Sequence, residues 1–348
     1  MSDVHIRTEG RAGRVTLTRP KALNALDLGM ASAIGAALDA WRDDPAVSLV
    51  LIDAEGPRAF CAGGDIARIY HAGRAGRFAP GRSFFAEEYR MNAAIAGFPK
   101  PVVALAQGFV LGGGVGLAGH ASHRVLGETT RVAMPECPIG MIPDVGGSLL
   151  LGLAPGRLGE FLGLSAHRMA AGDAIHAGFF DHLVPETDWP RLTAELIGSG
   201  DPAAIGAFAA PTPLPTLTEH ADAMDEAFSA PDLRTLAGRL EATDWGHGVL
   251  RLLRGHCPIS MGCTLALVRA ARAEPGIAAA LTREFRFTYR AASDGEMLEG
   301  VRAAIIDKDR DPVWRDTIDS LRSEEITAML APLGAAELSF TAPREAAE

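Results

Sequence analysis

Residues 101–119, PVVALAQGFVLGGGVGLAG, carry no charged side chain, yet six of the nineteen positions are glycine and one is Gln107. A helix that crosses a membrane needs about twenty mostly apolar residues. This run is better suited to a buried strand that passes into a glycine-rich turn. Further short β-type runs occur at 13–18 (GRVTLT), 47–53 (VSLVLID) and 122–127 (SHRVLG), with VVALA at 102–106 inside the uncharged stretch. Between the first two lies a predicted helix: Asp27 is placed to cap it, and Met30, Ile34, Ala37, Leu38 and Trp41 share one face at helical spacing. A second helix is predicted over 83–96. Strands alternating with helices predict an α/β layer structure.

The pattern changes after about residue 187. Strand-like runs stop, and Pro211, Pro213 and Pro215 form a stiff connector in PTPLP. Helical periodicity then predicts helices near 217–229, 232–241, 246–255, 261–273, 277–292 and 294–304. The chain is therefore divided into a core at 1–187, a helical region at 188–335 and a tail at 336–348 that is expected to fray. A formal charge of −10 argues against nucleic acid and anionic membrane surfaces as partners. The N-terminus, MSDVHIRTEG, has no apolar core of a signal peptide. Cys61, Cys137, Cys257 and Cys263 lack C-x-x-C spacing, which predicts reduced thiols and a cytoplasmic protein.

Chemistry is concentrated in two glycine-rich turns and a pair of acids. The turns are FCAGGD at 60–65 and LGGGVG at 111–116; the acids are Glu136 and Asp144 in MPECPIGMIPDVGG at 134–147. Glycine leaves a backbone N–H unshielded, so a reacting oxygen can approach closely. Two such groups on separate loops can hold the oxyanion that forms when a carbonyl is attacked. An acid or base must then act beside that carbonyl, and a partly buried carboxylate, its pKa raised, can serve near neutral pH. The pattern reads as carbonyl chemistry on an activated acyl group.

These ordered motifs resemble the enoyl-CoA hydratase/isomerase (crotonase) superfamily. EGVRAAIIDKDRDPVW at 299–314, FFAEEYRMN at 84–92 and KALNALDLGM at 21–30 resemble its 3-hydroxyisobutyryl-CoA hydrolase branch. The resemblance spans roughly residues 4–316. It implies a spiral of ββα turns followed by an extended helical C-terminal region that closes over the acyl-CoA site.

The resemblance also implies residue roles. Gly64 and Gly113 fall at the two oxyanion-hole positions, where a plain turn glycine is the alternative. Glu136 and Asp144 fall at the catalytic acids; an exposed loop carboxylate and a turn or cap aspartate are the alternatives. Glu88 matches a substrate-contacting glutamate, and Lys21 lies in the early CoA-contacting segment, although either could be an ordinary surface residue. Gly116 stands where crotonase hydratases carry one of two catalytic glutamates, and Asp144 stands where many of them have glycine. That exchange fits thioester hydrolysis rather than addition of water to a double bond.

Other signals are weaker. Gly114, Gly116 and Gly119 spell a dinucleotide fingerprint, but Glu128 comes too early for a full crossover helix and Glu136 follows a proline. His120 and His123 could share a helix face, but no third metal ligand has a clear place. Nothing near Cys61 in sequence activates it as a nucleophile.

The expected activity is hydrolysis of a short hydroxyacyl-CoA, 3-hydroxyisobutyryl-CoA above others. CoA enters as part of the substrate, and no metal or other cofactor is expected. The alternatives are an enoyl-CoA hydratase or isomerase and a catalytically silent acyl-CoA-binding protein. The resemblance implies a trimer or a pair of trimers, unless the extended C-terminus covers that surface.

Overall fold

A computed structural model describes residues 3–340. Its strands are β1 (Val4–Glu9), β2 (Ala12–Leu17), β3 (Leu49–Ala54), β4 (Ala59–Cys61), β5 (Val102–Ala106), β6 (Phe109–Leu111), β7 (His123–Leu126), β8 (Arg131–Ala133) and β9 (His182–Leu183). They form two sheets. The larger has the order β1-β2-β3-β5-β7-β9; the smaller has the order β4-β6-β8. Apart from the β1–β2 hairpin, every pairing between these strands is parallel.

Chain order explains the architecture. Each turn places one strand in the large sheet and the next in the small one: β3 then β4, β5 then β6, β7 then β8. Helices complete the turns, so the chain winds as a spiral of ββα units. β5 (VVALA) is buried at all five positions, and the first four residues of β3 are buried as well. Parallel strands covered on both faces read as continuous apolar runs of this kind.

The helices of the spiral are α1 (Leu28–Trp41), α2 (Ile66–Arg74), α3 (Ala79–Ala96), α4 (Gly113–Ala118) and α5 (Gly147–Leu153). Asp27 caps α1 by accepting from the Met30 N–H at 3.0 Å, and the five residues expected on one face are all buried. α3 begins four residues earlier than its periodicity predicts because Pro80 occupies its first turn, where no intrahelical N–H bond is needed.

The remaining helices are α6 (Leu158–Ser165), α7 (Ala171–His176), α8 (Trp189–Ser199), α9 (Ala221–Phe228), α10 (Leu233–Leu240), α11 (Asp244–Leu253), α12 (Pro258–Ala273), α13 (Ile277–Ala291), α14 (Met297–Val301) and α15 (Ser323–Leu330). α12 packs on α5 and α6, α13 on α3, and α14 on α2. The main apolar core runs from Val4 through the strands to Met329 and Leu338, and a second cluster joins strand residues such as Leu51 and Val103 to Leu192 and Leu196 of α8.

The tail is a partial correction. Residues 336–340 are docked, because Leu338 is buried, Glu337 pairs with Arg286 at 2.6 Å and the Ser339 carbonyl accepts from Arg90 Nε at 3.0 Å. Residues 341–348, the rest of the segment expected to fray, lie outside the described residues.

Candidate active site

The small sheet builds one side of the site. Its three neighbouring strands run parallel, so their carboxyl ends emerge together, as ligand-binding ends of parallel sheets do. β4 leads into Gly63 and Gly64, β6 into Gly112 and Gly113, and β8 into Glu136. Gly112 N–H donates to the Ala133 carbonyl at 3.3 Å, which ties the second and third of these ends together. The first end is fixed from outside: Leu26 N–H donates to Gly63 O at 2.9 Å, and Asp65 N–H donates to Leu26 O at 2.7 Å.

Two glycines make this approach possible. Gly63 sits at φ 103° and Gly112 at φ 49°, backbone that L side chains rarely adopt. A Cβ on Gly112 would stand 2.5 Å from Glu136 Oε1. Gly113 then opens α4, where the first N–H groups of a helix have no intrahelical partner. Among the described residues, neither the Gly64 nor the Gly113 N–H has a backbone acceptor. Both are free to donate to a ligand oxygen.

Gly64, Gly113, Glu88, Glu136 and Asp144 all line one cavity of about 80 Å³. Phe84, Phe85, Ile66, Ile139 and Met141 form its apolar wall. The three carboxyls are 2–7% exposed. Glu88 Oε1 and Glu136 Oε2 have no hydrogen-bond partner among the described residues. Burial first, and then the neighbouring Asp144, push both glutamates well above the usual carboxylate range. Burial raises Asp144 to about 6, against the opposing pull of a hydrogen bond from Tyr89. Burial in this apolar cavity raises all three acids, and among the described residues no cation forms an ion pair with any of them. That suits groups that must take up or release a proton during turnover.

Lys21 lies apart from this assembly. It is exposed on a short 3₁₀ turn, Pro20–Ala22, and does not line the cavity. Its segment instead supports the loops: buried Asn24 donates to Glu55 O at 3.0 Å and to Ala59 O at 2.9 Å.

At Gly116 a Cβ would meet Asn92 Nδ2 at 2.7 Å and Val145 Cβ at 2.8 Å. The space for a side chain there is already filled. The fingerprint glycines are packing positions too, since Cβ atoms on Gly114 and Gly119 would strike the Cys61 carbonyl and Leu150. His120 Nε2 donates to the Val145 carbonyl at 2.7 Å, which occupies it structurally. Cys61 is fully buried, and burial pushes its thiol up to about 12.

Several supporting residues escape the sequence reading. Tyr89 Oη lies 2.7 Å from Asp144 Oδ2 and 3.2 Å from Thr288 Oγ1. Glu284 accepts from Gly146 N–H at 2.7 Å, from Ser148 N–H at 3.0 Å and from the Ser148 hydroxyl. The FFAEEYRMN motif contains Tyr89, but only the fold brings it to Asp144, 55 residues on. The terminal motif works at a distance. Arg302 pairs with Glu299, Asp307 and Asp309, and Gly300 packs directly on the Ile139 backbone, behind the segment that carries Glu136.

Comparison with known proteins agrees with this geometry. Residues 12–330 match the family model described as enoyl-CoA hydratase/isomerase. The chain is 36% identical to the mitochondrial 3-hydroxyisobutyryl-CoA hydrolase of Xenopus tropicalis, over 95% of this chain and 89% of that one. It is 34% identical to the Homo sapiens protein of the same name, over 97% and 91%. Among solved structures, an enoyl-CoA hydratase from Rhodobacter sphaeroides superposes with a TM-score of 0.92 at 51% identity, over 97% of this chain and 100% of that one. A carnitinyl-CoA dehydratase from Mycobacterium thermoresistibile gives 0.93 at 36% identity, over 99% and 100%.

Proposed function

The chain belongs to the enoyl-CoA hydratase/isomerase family, and from that premise we propose that it hydrolyses a short hydroxyacyl-CoA thioester, with 3-hydroxyisobutyryl-CoA the favoured substrate. The observation that carries this reading is the distribution of acids around the cavity. Asp144 and Glu136 face the space beside two free N–H donors, while position 116, the site of the second hydratase glutamate, is a glycine whose side-chain space Asn92 and Val145 occupy.

The thioester oxygen accepts from the N–H groups of Gly64 and Gly113. Negative charge that develops on that oxygen is stabilised there more than in the ground state. Glu136 either removes a proton from the attacking water or attacks the carbonyl itself, giving a mixed anhydride that water then opens. Asp144 orients water or substrate and assists proton transfer to the departing thiolate. Glu88, whose carboxyl stands against Gly113, accepts from the substrate hydroxyl. The products are the hydroxy acid and free CoA. A cavity of about 80 Å³ suits a short acyl group and leaves the CoA portion outside it.

The second reading, hydration of an enoyl-CoA, is favoured by the name of the Rhodobacter sphaeroides structure at 51% identity. One experiment separates the two. Purified protein is given 3-hydroxyisobutyryl-CoA while free thiol is followed, and crotonyl-CoA while enoyl absorbance is followed. Thiol release from the first is expected. Rapid loss of enoyl absorbance without thiol release would overturn the proposal.

Four buried, unpaired cysteines agree with a reducing compartment such as the cytoplasm. The vertebrate relatives are named mitochondrial. No helix among the described residues is long and apolar enough to cross a membrane. A trimer or hexamer remains the expected assembly, to be checked by mass in solution.

A further inference from the structure

Asp144 has no ion-pair partner among the described residues, and the charged groups nearest it are acids: Glu88 on α3, Glu136 beyond β8 and Glu284 on α13. Among the described residues, the one side chain that hydrogen-bonds its carboxyl is the Tyr89 phenol, 2.7 Å from Oδ2. Tyr89 is fully buried. Its ring is held between Phe85, with centroids 6.2 Å apart, and Phe285, edge-on at 6.1 Å. Its oxygen also lies 3.2 Å from Thr288 Oγ1, one helical turn beyond Glu284 on α13.

A phenol has a single proton. A carboxylate is a stronger acceptor than a hydroxyl, so that proton goes to Asp144. Thr288 can then donate its own proton to the phenol oxygen. The arrangement runs from the C-terminal helical region, through the ring, to the acid beside the thioester.

We propose that Tyr89, seated by Thr288, is a positioning residue for Asp144: it fixes Oδ2, holds the carboxyl in its ionised form among three other acids, and leaves the second oxygen for water or substrate. This rests on the reading of Asp144 as an acting carboxylate. The elevation of the phenol by burial, Asp144 and Glu284 agrees with it, because a phenol that keeps its proton remains a donor.

The test uses Tyr89→Phe and Thr288→Val in the full-length chain, with thiol release from the hydroxyacyl-CoA followed across pH. For Tyr89→Phe, kcat should fall about tenfold or more with KM little changed, as expected for loss of a hydrogen bond to a charged group. The acid limb of kcat/KM should move up by about one pH unit. Thr288→Val should move it the same way by less; it also provides the readout if Tyr89→Phe does not fold. A folded variant that loses turnover equally at every pH, with the acid limb in place, shows a structural role and overturns the inference. Asp144→Asn is the control. If it is inactive while the limb of the other variants stays fixed, the inference alone fails. If it keeps wild-type turnover, the reading of the site fails as well.

Discussion

The carboxylate of Glu284 accepts from the N–H of Gly146 at 2.7 Å across 138 residues of sequence. The same carboxylate takes the N–H and hydroxyl of Ser148. Between Asp144 and these contacts lies Val145 at φ 52°, a conformation a β-branched residue rarely adopts. His120 holds the Val145 carbonyl, and Gly147 N–H closes onto the Asp144 carbonyl at 2.6 Å. The strained turn persists because its surroundings over-determine it. A helix of the C-terminal region thus sets the geometry of an acid in the spiral.

Glu284→Gln tests that grip. Glutamine keeps the size but turns an NH₂ towards donors that need an acceptor. A buried N–H left unpaired costs about 1–3 kcal/mol. The variant should unfold at a lower temperature and turn over more slowly, because Asp144 is no longer held. Thermal unfolding and kcat measured together check this; wild-type values for both would show the grip to be unnecessary.

The buried acids should make the site costly to the fold at neutral pH. Asp144 is raised from 3.8 to about 6. Between those values the folded protein binds more protons than the unfolded chain, so stability falls as pH rises through the window. The penalty, fully present above about pH 6, is about 3 kcal/mol at 1.36 kcal/mol per unit. Asp144→Asn should therefore unfold at a higher temperature than wild type at pH 7.5. The difference should close towards pH 4. Its turnover should drop while CoA affinity is nearly retained. A variant less stable than wild type at pH 7.5 would count against a strained, charged Asp144.

Glu136→Gln preserves shape and removes the base or nucleophile. Turnover should fall by roughly 10²-fold or more, the range of general base catalysis. Single-turnover thiol release measures it directly. Near-normal turnover would assign Glu136 a structural role.

Much of this arrangement is legible in sequence, and the gaps have physical causes. β2, β3, β5 and β7 stand close to the runs that predict them, because each is long enough to carry an apolar pattern. β4, β6 and β8 do not show, although they build the site. Each has three residues and takes its ladder partners from neighbouring turns of the spiral, far away in sequence, so no local periodicity marks it. The motifs place Gly64, Gly113, Glu88, Glu136 and Asp144, and the fold brings them to one cavity. Tyr89, Thr288 and Glu284 are illegible for a different reason. Their partners lie 55 to 199 residues away, and on their own helices they read as ordinary core positions. In the segment of Lys21 the neighbours Asn24 and Leu26 support the loops, while the lysine itself is exposed outside the cavity, a position open to a CoA contact and to a plain surface residue alike.

Gly113→Ala gives the sharpest test of the oxyanion hole. Gly113 is the first residue of α4 and is absent from the positive-φ positions, so alanine fits its backbone. The added methyl would stand 2.5 Å from Glu88 Oε1 and 3.4 Å from Leu26 Cδ1. A Cβ there must push the Glu88 carboxyl aside and crowd the approach of the thioester oxygen to the Gly113 N–H. Because α4 keeps its conformation, folding stability should change little beside the loss of turnover. Removing one oxyanion donor typically costs about 3–4 kcal/mol, or 10²–10³ in kcat. The measurement is turnover per folded molecule, with unfolding followed on the same preparation. Glu88→Gln run in parallel separates the two effects, since displacing Glu88 alone should weaken KM for a hydroxylated substrate and spare an acyl-CoA that lacks the hydroxyl. A folded Gly113→Ala protein with nearly wild-type kcat on both substrates would remove this loop from the oxyanion hole.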